Sequence, residues 1–301
     1  MNSTHNLLVE KIRDALMHAA THLEPELEDR IATMELETRR LLQQIPLSDE
    51  RYAAYETSCE VLSMIRENLQ IAHETHLPMC QDTGMVVAFV DYGPKTPCSL
   101  HELESALYEG ITQAVKDGSF RNSVVQNPLF ERKNTGTNLP PVIHWNPRKE
   151  EGTTIHLLLK GFGSENCSSL TMLNPTALSS DVVNTVVARV AEAGGKPCPP
   201  IVVGVGLGGT AERAGQLAKR ALCRPVGTSH PENRYAALER DIEAGIQTLN
   251  IGPGGFGGPL TALGVAIEYE PTHIAGLPVA VAISCWADRK ARIDIGGGEY
   301  A

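Results

Sequence analysis

The sequence lacks the features that mark several large classes of protein. Its longest nearly apolar stretch, Ile274 to Ala287, is shorter than the ~20 residues that a membrane-spanning helix needs. No run of lysine and arginine interrupts the net charge of −10, which argues against a nucleic-acid surface. The first twenty residues contain acidic side chains and show helical spacing, so they do not resemble a signal peptide. We therefore expect a soluble, cytoplasmic protein with neither a membrane nor a nucleic acid as partner.

Cysteine is present without the patterns that usually explain it. The chain has seven cysteines, an odd number, and no C-x-x-C pair. Disulfides, a zinc ribbon and a thioredoxin-like redox site are therefore not expected. Cys59 and Cys223 lie within helical patterns, where cysteine is often a small buried hydrophobe. Cys98 lies in a proline-containing loop, and no role is assigned to it.

Hydrophobic periodicity divides the chain into two parts. Helical spacing dominates from about residue 5 to residue 76, and alternating strand and helix patterns follow. We expect strands at 85–90 and 153–161, another before the glycines at 204–209, and three more that close the chain. The sequence thus predicts an α/β (α+β) fold in a single domain over residues 1–301. Its helical region would cover about 1–76 and its mixed α/β region about 77–301.

A glycine pattern near the middle of the chain resembles a dinucleotide-binding motif. Gly204, Gly206 and Gly209 give G-x-G-x-x-G between a predicted strand and a predicted helix. That motif also needs an acidic residue ~20 positions on, at the end of a second strand, and here a proline-broken loop occupies that region. We expect the glycines to let the helix pack closely on the sheet. A small carboxylate at the helix N-terminus is the alternative.

Three cysteines stand in polar settings at predicted strand ends. They are Cys80 in "PMCQDTG", Cys198 in "GKPCPPI" and Cys285 in "AISCWADR". Their separations exclude a compact local finger but allow the three to converge in space. Three thiolates suit a cubane iron–sulfur cluster in which one iron lacks a protein ligand, and that iron can act as a Lewis acid. The alternative is three unrelated thiols.

Six segments in order resemble the class I fumarate hydratase family of iron–sulfur hydro-lyases. They are "CQDTG" at 80–84, "NTGTNLPP" at 134–141, "KGFGSEN" at 160–166, "PCPP" at 197–200, "GGTAE" at 208–212 and "SCWADR" at 284–289. Together they span about two-thirds of the chain. A single segment of this kind would be weak, whereas six in the family's order form a specific pattern.

The resemblance implies a cofactor and a set of site residues. It implies a [4Fe-4S] cluster held by Cys80, Cys198 and Cys285. The residues that it places against a small dicarboxylate substrate are Gln81, Asp82, Arg121 and His273, together with the backbone of Gly161 and Gly163. Asp82 and His273 would be the catalytic residues, with Asp82 a base or the partner of a base. Taken alone, Asp82 would fit an Asx turn better.

Two residues depart from the family pattern. Phe162 stands where the family usually has a second glycine, which questions a close backbone approach there. Cys167 is not a usual ligand, and at the open iron it would block catalysis. We expect its side chain to point away from the cluster.

The resemblance also implies a partner and a reaction. Single-chain members continue beyond the segments found here, so the chain is expected to be the α subunit of a two-subunit enzyme. A β subunit would complete the site, in a higher heteromer such as a dimer of heterodimers. The expected reaction is hydration of fumarate to malate, and the alternatives are tartrate dehydratase and mesaconate hydratase. From another class, a non-catalytic iron–sulfur scaffold or sensor remains open.

Overall fold

The computed structural model describes residues 3–296 and confirms an α/β fold. Three helices precede the first strand, within the region over which the periodicity predicts helix. Among the described residues, none of the helices combines the length and the apolar character that crossing a bilayer requires. The helices are α1 Ser3–Thr21, α2 Pro25–Leu42, α3 Tyr52–Thr75, α4 Leu100–Asp117, α5 Phe162–Glu165, α6 Ser179–Ala193, α7 Ala211–Ala221 and α8 Asn233–Gln247. The strands are β1 Met85–Tyr92, β2 Val142–Pro147, β3 Thr153–Lys160, β4 Ser169–Leu173, β5 Ile201–Gly209, β6 Ala262–Thr272, β7 Leu277–Ser284 and β8 Lys290–Ile295.

The chain divides into two compact units that interleave in sequence. The first unit consists of Met1–Leu23, Leu69–Phe162 and Asp288–Ala301, and the second of Glu24–Asn68 and Gly163–Ala287. The single domain expected over residues 1–301, with a change of pattern near residue 76, stays a prediction. Within the two units, α1 packs on α4 and β8, whereas α2 packs on β6. The helical region therefore contributes to both units.

The first unit is a mixed four-stranded sheet covered by helices. Its strand order is β2-β1-β3-β8, with β1 parallel to β2 and antiparallel to β3. Alternate residues of β1 point to one face, where Val86, Ala88 and Val90 join a buried cluster with Leu16 of α1 and Leu107 of α4. This packing holds β3 in place, and several candidate site residues lie next to its C-terminal end at Lys160.

The second unit contains another mixed sheet, in the order β4-β7-β5-β6. Val203 and Val205 of β5 join a buried cluster with residues of α6 and α8. The alternate positions, Gly204 and Gly206, face α7. A Cβ atom on Gly204 would lie 2.1 Å from the Ala218 carbonyl oxygen, and one on Gly206 would lie 2.0 Å from that of Ala214. The two glycines thus permit the close helix–sheet packing that we expected from the sequence.

We predict that Gly206→Ala destabilises the protein, by about 1–3 kcal/mol, because α7 must move off β5 to admit a methyl group. Gly215→Ala is the matched control. Gly215 lies in α7, and the space around a Cβ built there is open. Alanine should therefore leave the free energy of unfolding unchanged or raise it by about 0.5–1 kcal/mol. Urea unfolding of both variants checks this. Equal stabilities would show that α7 does not depend on the close approach.

Candidate functional site

The turn "CQDTG" precedes β1 and is fixed by the carboxylate of Asp82. Its Oδ1 accepts a hydrogen bond from the backbone N–H of Gly84 at 3.1 Å, and its Oδ2 accepts one from that of Phe162 at 2.8 Å. The bond to Gly84 is the Asx turn that we considered as the alternative. Gly84 has a φ of +86°, and a Cβ there would lie 2.7 Å from the carbonyl carbon of Lys160. The turn is therefore held closely against the end of β3.

Two buried polar side chains position Arg121 beside this turn. The hydroxyl of Thr83 accepts from the Arg121 N–H at 3.1 Å and donates to its carbonyl at 3.4 Å. The Asn138 amide donates to the same carbonyl at 2.9 Å and accepts from the N–H groups of Ser123 and Val124 at 2.7 and 3.2 Å. Thr83 and Asn138 are buried, whereas Arg121 is exposed. The backbone is thus fixed, and the guanidinium faces outward.

The first unit therefore brings together most of the predicted residues that it contains. Cys80 is half-buried and Gln81 is exposed, and they precede Asp82 in the same turn. The backbone just before Cys80 is held by Met79, whose N–H donates to the Ala20 carbonyl at 2.9 Å. Together with Arg121 they form one polar region of this unit.

Gly161 lies at the corner where β3 ends, between two charged side chains. A Cβ atom built on Gly161 would lie 3.3 Å from Asp82 Oδ2 and 3.5 Å from Arg289 Nη2. The neighbouring Phe162 does not block this corner, because its side chain is 48% exposed and its N–H binds Asp82. Arg289 is a residue that the sequence did not single out. It falls within "SCWADR". What sets Arg289 apart is its burial, which the sequence alone does not reveal.

The second unit brings Cys198 and Cys285 to one edge of its sheet. Cys198 precedes β5 and Cys285 follows β7, and these strands pair antiparallel with Val202 opposite Ser284. The N–H of Trp286 also donates to the Cys198 carbonyl at 3.3 Å. Cys198 is exposed, and Cys285 is partly buried. Both thiols therefore lie on neighbouring segments, as ligands of a shared group would require.

The remaining predicted residues of the second unit lie in different places. Gly163 is exposed, and a Cβ there would lie 3.6 Å from the Lys196 carbonyl, close to the segment that carries Cys198. His273 lies in the turn between β6 and β7 and accepts from the Ala275 N–H at 3.1 Å. The eight residues of β7 separate it from Cys285, a span of about 26 Å. This unit does not bring His273 to the cysteine edge, and its contact with substrate stays a prediction.

The seven cysteines fall into two groups by burial. Burial raises the pKa of the Cys59 and Cys98 thiols, which disfavours the thiolate form that metals bind. Cys167 donates its thiol hydrogen to the Gly163 carbonyl at 3.5 Å. Residues 3–296 contain no group of three or more His, Cys, Asp or Glu side chains arranged to hold a metal ion. The buried cysteines are Cys59, Cys98, Cys167 and Cys223, and the accessible ones are Cys80, Cys198 and Cys285.

Comparison with known proteins gives a consistent family. The family model described as fumarate hydratase (Fumerase) matches residues 9–294. A protein of Methanocaldococcus jannaschii, provisionally named L(+)-tartrate dehydratase subunit alpha, is 42% identical over 78% of this chain and 84% of its own length. The L(+)-tartrate dehydratase subunit alpha of Escherichia coli K12 is 33% identical over 75% of each chain.

We predict that Thr83→Val loosens the Arg121 segment, because valine keeps the shape of threonine but leaves the Arg121 N–H without its acceptor. The free energy of unfolding should fall by about 1–3 kcal/mol, and trypsin should cleave after Arg121 faster. Thr83→Ser keeps the hydroxyl and is the control. If Val and Ser variants are cleaved at the same rate, the hydroxyl does not hold this segment.

Proposed function

The chain belongs to the fumarate hydratase family and is a hydro-lyase, and from that premise we propose that it is the α subunit of a two-subunit [4Fe-4S] enzyme. The enzyme adds water reversibly to a four-carbon unsaturated dicarboxylate. The observation that carries this proposal is the accessibility of three cysteines. Of the seven in the chain, Cys80, Cys198 and Cys285 alone are not buried, and they are the three that stand in the family's motifs.

The donor set fits an iron–sulfur cluster. Three thiols leave one iron of a four-iron cluster without a protein ligand. Cys198 has a φ of +54°, and the turn formed by its N–H donating to the Gly195 carbonyl at 3.1 Å leaves its side chain exposed. Cys167 is engaged with a backbone carbonyl inside the second unit, which supports its exclusion from the ligand set.

The side chains of the first unit suit the two ends of a dicarboxylate. When bound, the cluster supplies a Lewis acid for the substrate hydroxyl and one carboxylate. Arg121 offers a permanently charged planar fork for the other carboxylate, and the Gln81 amide offers further donors. Such donors stabilise the charge that develops on that carboxylate when the neighbouring carbon loses its proton.

Asp82 is the candidate base for that proton. Its two hydrogen bonds to backbone N–H groups fix the orientation of the carboxylate. Each carboxylate oxygen has a second lone pair, so these bonds leave room to accept a proton from substrate. The Asx turn and the catalytic role are thus compatible, because the turn orients the carboxylate that would act as the base.

Two substrates have specific support. The complete "KG-x-GSEN" run at 160–166 favours fumarate and malate. The names of the relatives from M. jannaschii and E. coli favour L-tartrate. Malate and tartrate differ by one hydroxyl group, and a difference of this size often changes the binding free energy by only ~1–3 kcal/mol. We place fumarate first and tartrate second.

A β subunit completes the proposed enzyme. Both relatives are named as α subunits, which supports a heteromeric assembly such as a dimer of heterodimers. In this arrangement the α chain supplies the cluster ligands and the groups around Asp82, and the β chain supplies the remaining contacts to substrate.

We predict about four iron and four acid-labile sulfide atoms per chain after anaerobic reconstitution. Serine at position 80, 198 or 285 should remove most of both, because it deletes a thiolate ligand. Cys167→Ser is the matched control and should retain the wild-type content. Iron and sulfide assays with the visible spectrum measure this. A Cys167→Ser variant as depleted as Cys80→Ser would contradict the ligand assignment.

We predict that turnover requires the β subunit and is fastest with fumarate or L-malate. Anaerobic steady-state assays of the chain, alone and with its β subunit, should compare fumarate, L-malate, L-tartrate and mesaconate. A higher kcat/KM for L-tartrate would favour the second candidate. Full turnover by the reconstituted chain alone would refute the need for a partner.

A further inference from the structure

Arg289 is a buried cation, and two of its guanidinium nitrogens lack a hydrogen-bond partner among the described residues. Arg289 is only 2% exposed. Within residues 3–296, its Nε and Nη1 atoms are buried and have no hydrogen-bond partner. A guanidinium stays charged under all ordinary conditions, and a buried charge without a partner is strongly unfavourable. The position therefore calls for an anion.

The acidic groups nearby in the first unit are already engaged. Asp288 pairs with the buried Lys290 at 3.1 Å. Asp82 accepts backbone N–H groups with both oxygens. Both carboxylates are therefore bound to groups other than Arg289.

Gly161 is the point at which the guanidinium comes near Asp82. A Cβ there would lie 3.3 Å from Asp82 Oδ2 and 3.5 Å from Arg289 Nη2, so the glycine leaves both side chains uncovered on this side. The backbone of Arg289 is fixed there, because its carbonyl accepts the Leu159 N–H at 3.0 Å. The guanidinium therefore reaches the corner from a rigid segment.

We propose that Arg289 binds a carboxylate group of the substrate at the Gly161 corner, beside Asp82. The inference rests on the proposed function, since a dicarboxylate is the anion that the reaction provides. A guanidinium matches the planar geometry of a carboxylate and forms charge-assisted hydrogen bonds with it. This adds a carboxylate-binding group to Arg121 and places it on the same chain as the candidate base.

Equilibrium binding of unreactive acids tests the assignment. The reconstituted complex of this chain with its β subunit is titrated anaerobically with succinate and with butyrate, which has the same length but a single carboxylate. The wild type should prefer succinate. Arg289→Met should raise the succinate Kd about 10- to 100-fold and change the butyrate Kd much less. Arg289→Lys should fall between, because it keeps the charge and loses the fork.

Two further variants separate binding from folding and from net charge. Arg292→Met removes an equal charge from β8 at an exposed side chain paired with Asp294, and its succinate Kd should match the wild type. Gly161→Ala fills the corner with a methyl group while keeping every charge, and it should also weaken succinate binding. Without ligand, Arg289→Met should unfold at the same temperature as the wild type or higher, since a costly buried charge is removed.

The outcomes are distinguishable. If the wild type binds no succinate, the proposed function and this inference both fail. If the wild type binds succinate and Arg289→Met binds it equally well, the inference alone fails. If Arg289→Met instead loses iron or unfolds at a lower temperature while Gly161→Ala binds normally, Arg289 is a structural residue and the proposal is overturned.

Discussion

The carboxylate of Asp82 is the constraint on which the candidate site of the first unit depends. By accepting N–H groups from Gly84 and Phe162, it joins two turns that are far apart in sequence. The next residue, Thr83, binds the backbone of Arg121. One short turn thus fixes two other segments. Since backbone N–H groups carry much of this network, the positions of the side chains around it depend little on flexible contacts.

The substitution at Phe162 illustrates this reliance on the backbone. A glycine is expected at this position in the family, yet the contact with Asp82 is made by the N–H group, which any residue except proline has. The side chain of Phe162 is about half exposed, at 48%. Gly161 is different, because a Cβ there would enter the space between Asp82 and Arg289. A side chain at residue 161 would therefore contact the charged groups of this corner, whereas the side chain at residue 162 does not enter it.

Sequence periodicity predicted six of the eight strands in the described part of the chain, including the edge strands β6 and β8, and missed the edge strands β2 and β4. The strands β1, β3, β5 and β7 lie inside their sheets, and most of their residues are buried. They therefore carry long apolar runs. The strands β2 and β4 are edge strands, and they were not predicted. β2 ends in a proline, and β4 exposes Leu170 and Met172. These two short strands lack a long buried apolar run, and their pairing with a neighbouring strand is not encoded in the local sequence.

The same distinction applies to the site. Cys80, Cys198 and Cys285 could be proposed from sequence because their local settings, beside prolines and polar clusters, differ from those of the buried cysteines. The division into two units could not, since it depends on which sheet each N-terminal helix packs against. Arg289 was also missed, because an arginine in a polar motif is ordinarily exposed and only long-range packing buries it. The placement of His273 likewise depends on the direction of β7, which spacing along the chain does not reveal.

The net charge of −10 is a poor guide to what this protein binds. Acidic residues dominate the chain as a whole, yet Lys160, Arg289 and Lys290 are buried together near the end of β3. Water screens charges that are exposed and far apart, whereas buried charges act strongly over short distances. An anion that approaches this corner therefore meets these cations at short range. A chain that is acidic overall can in this way still offer a local site to an anion.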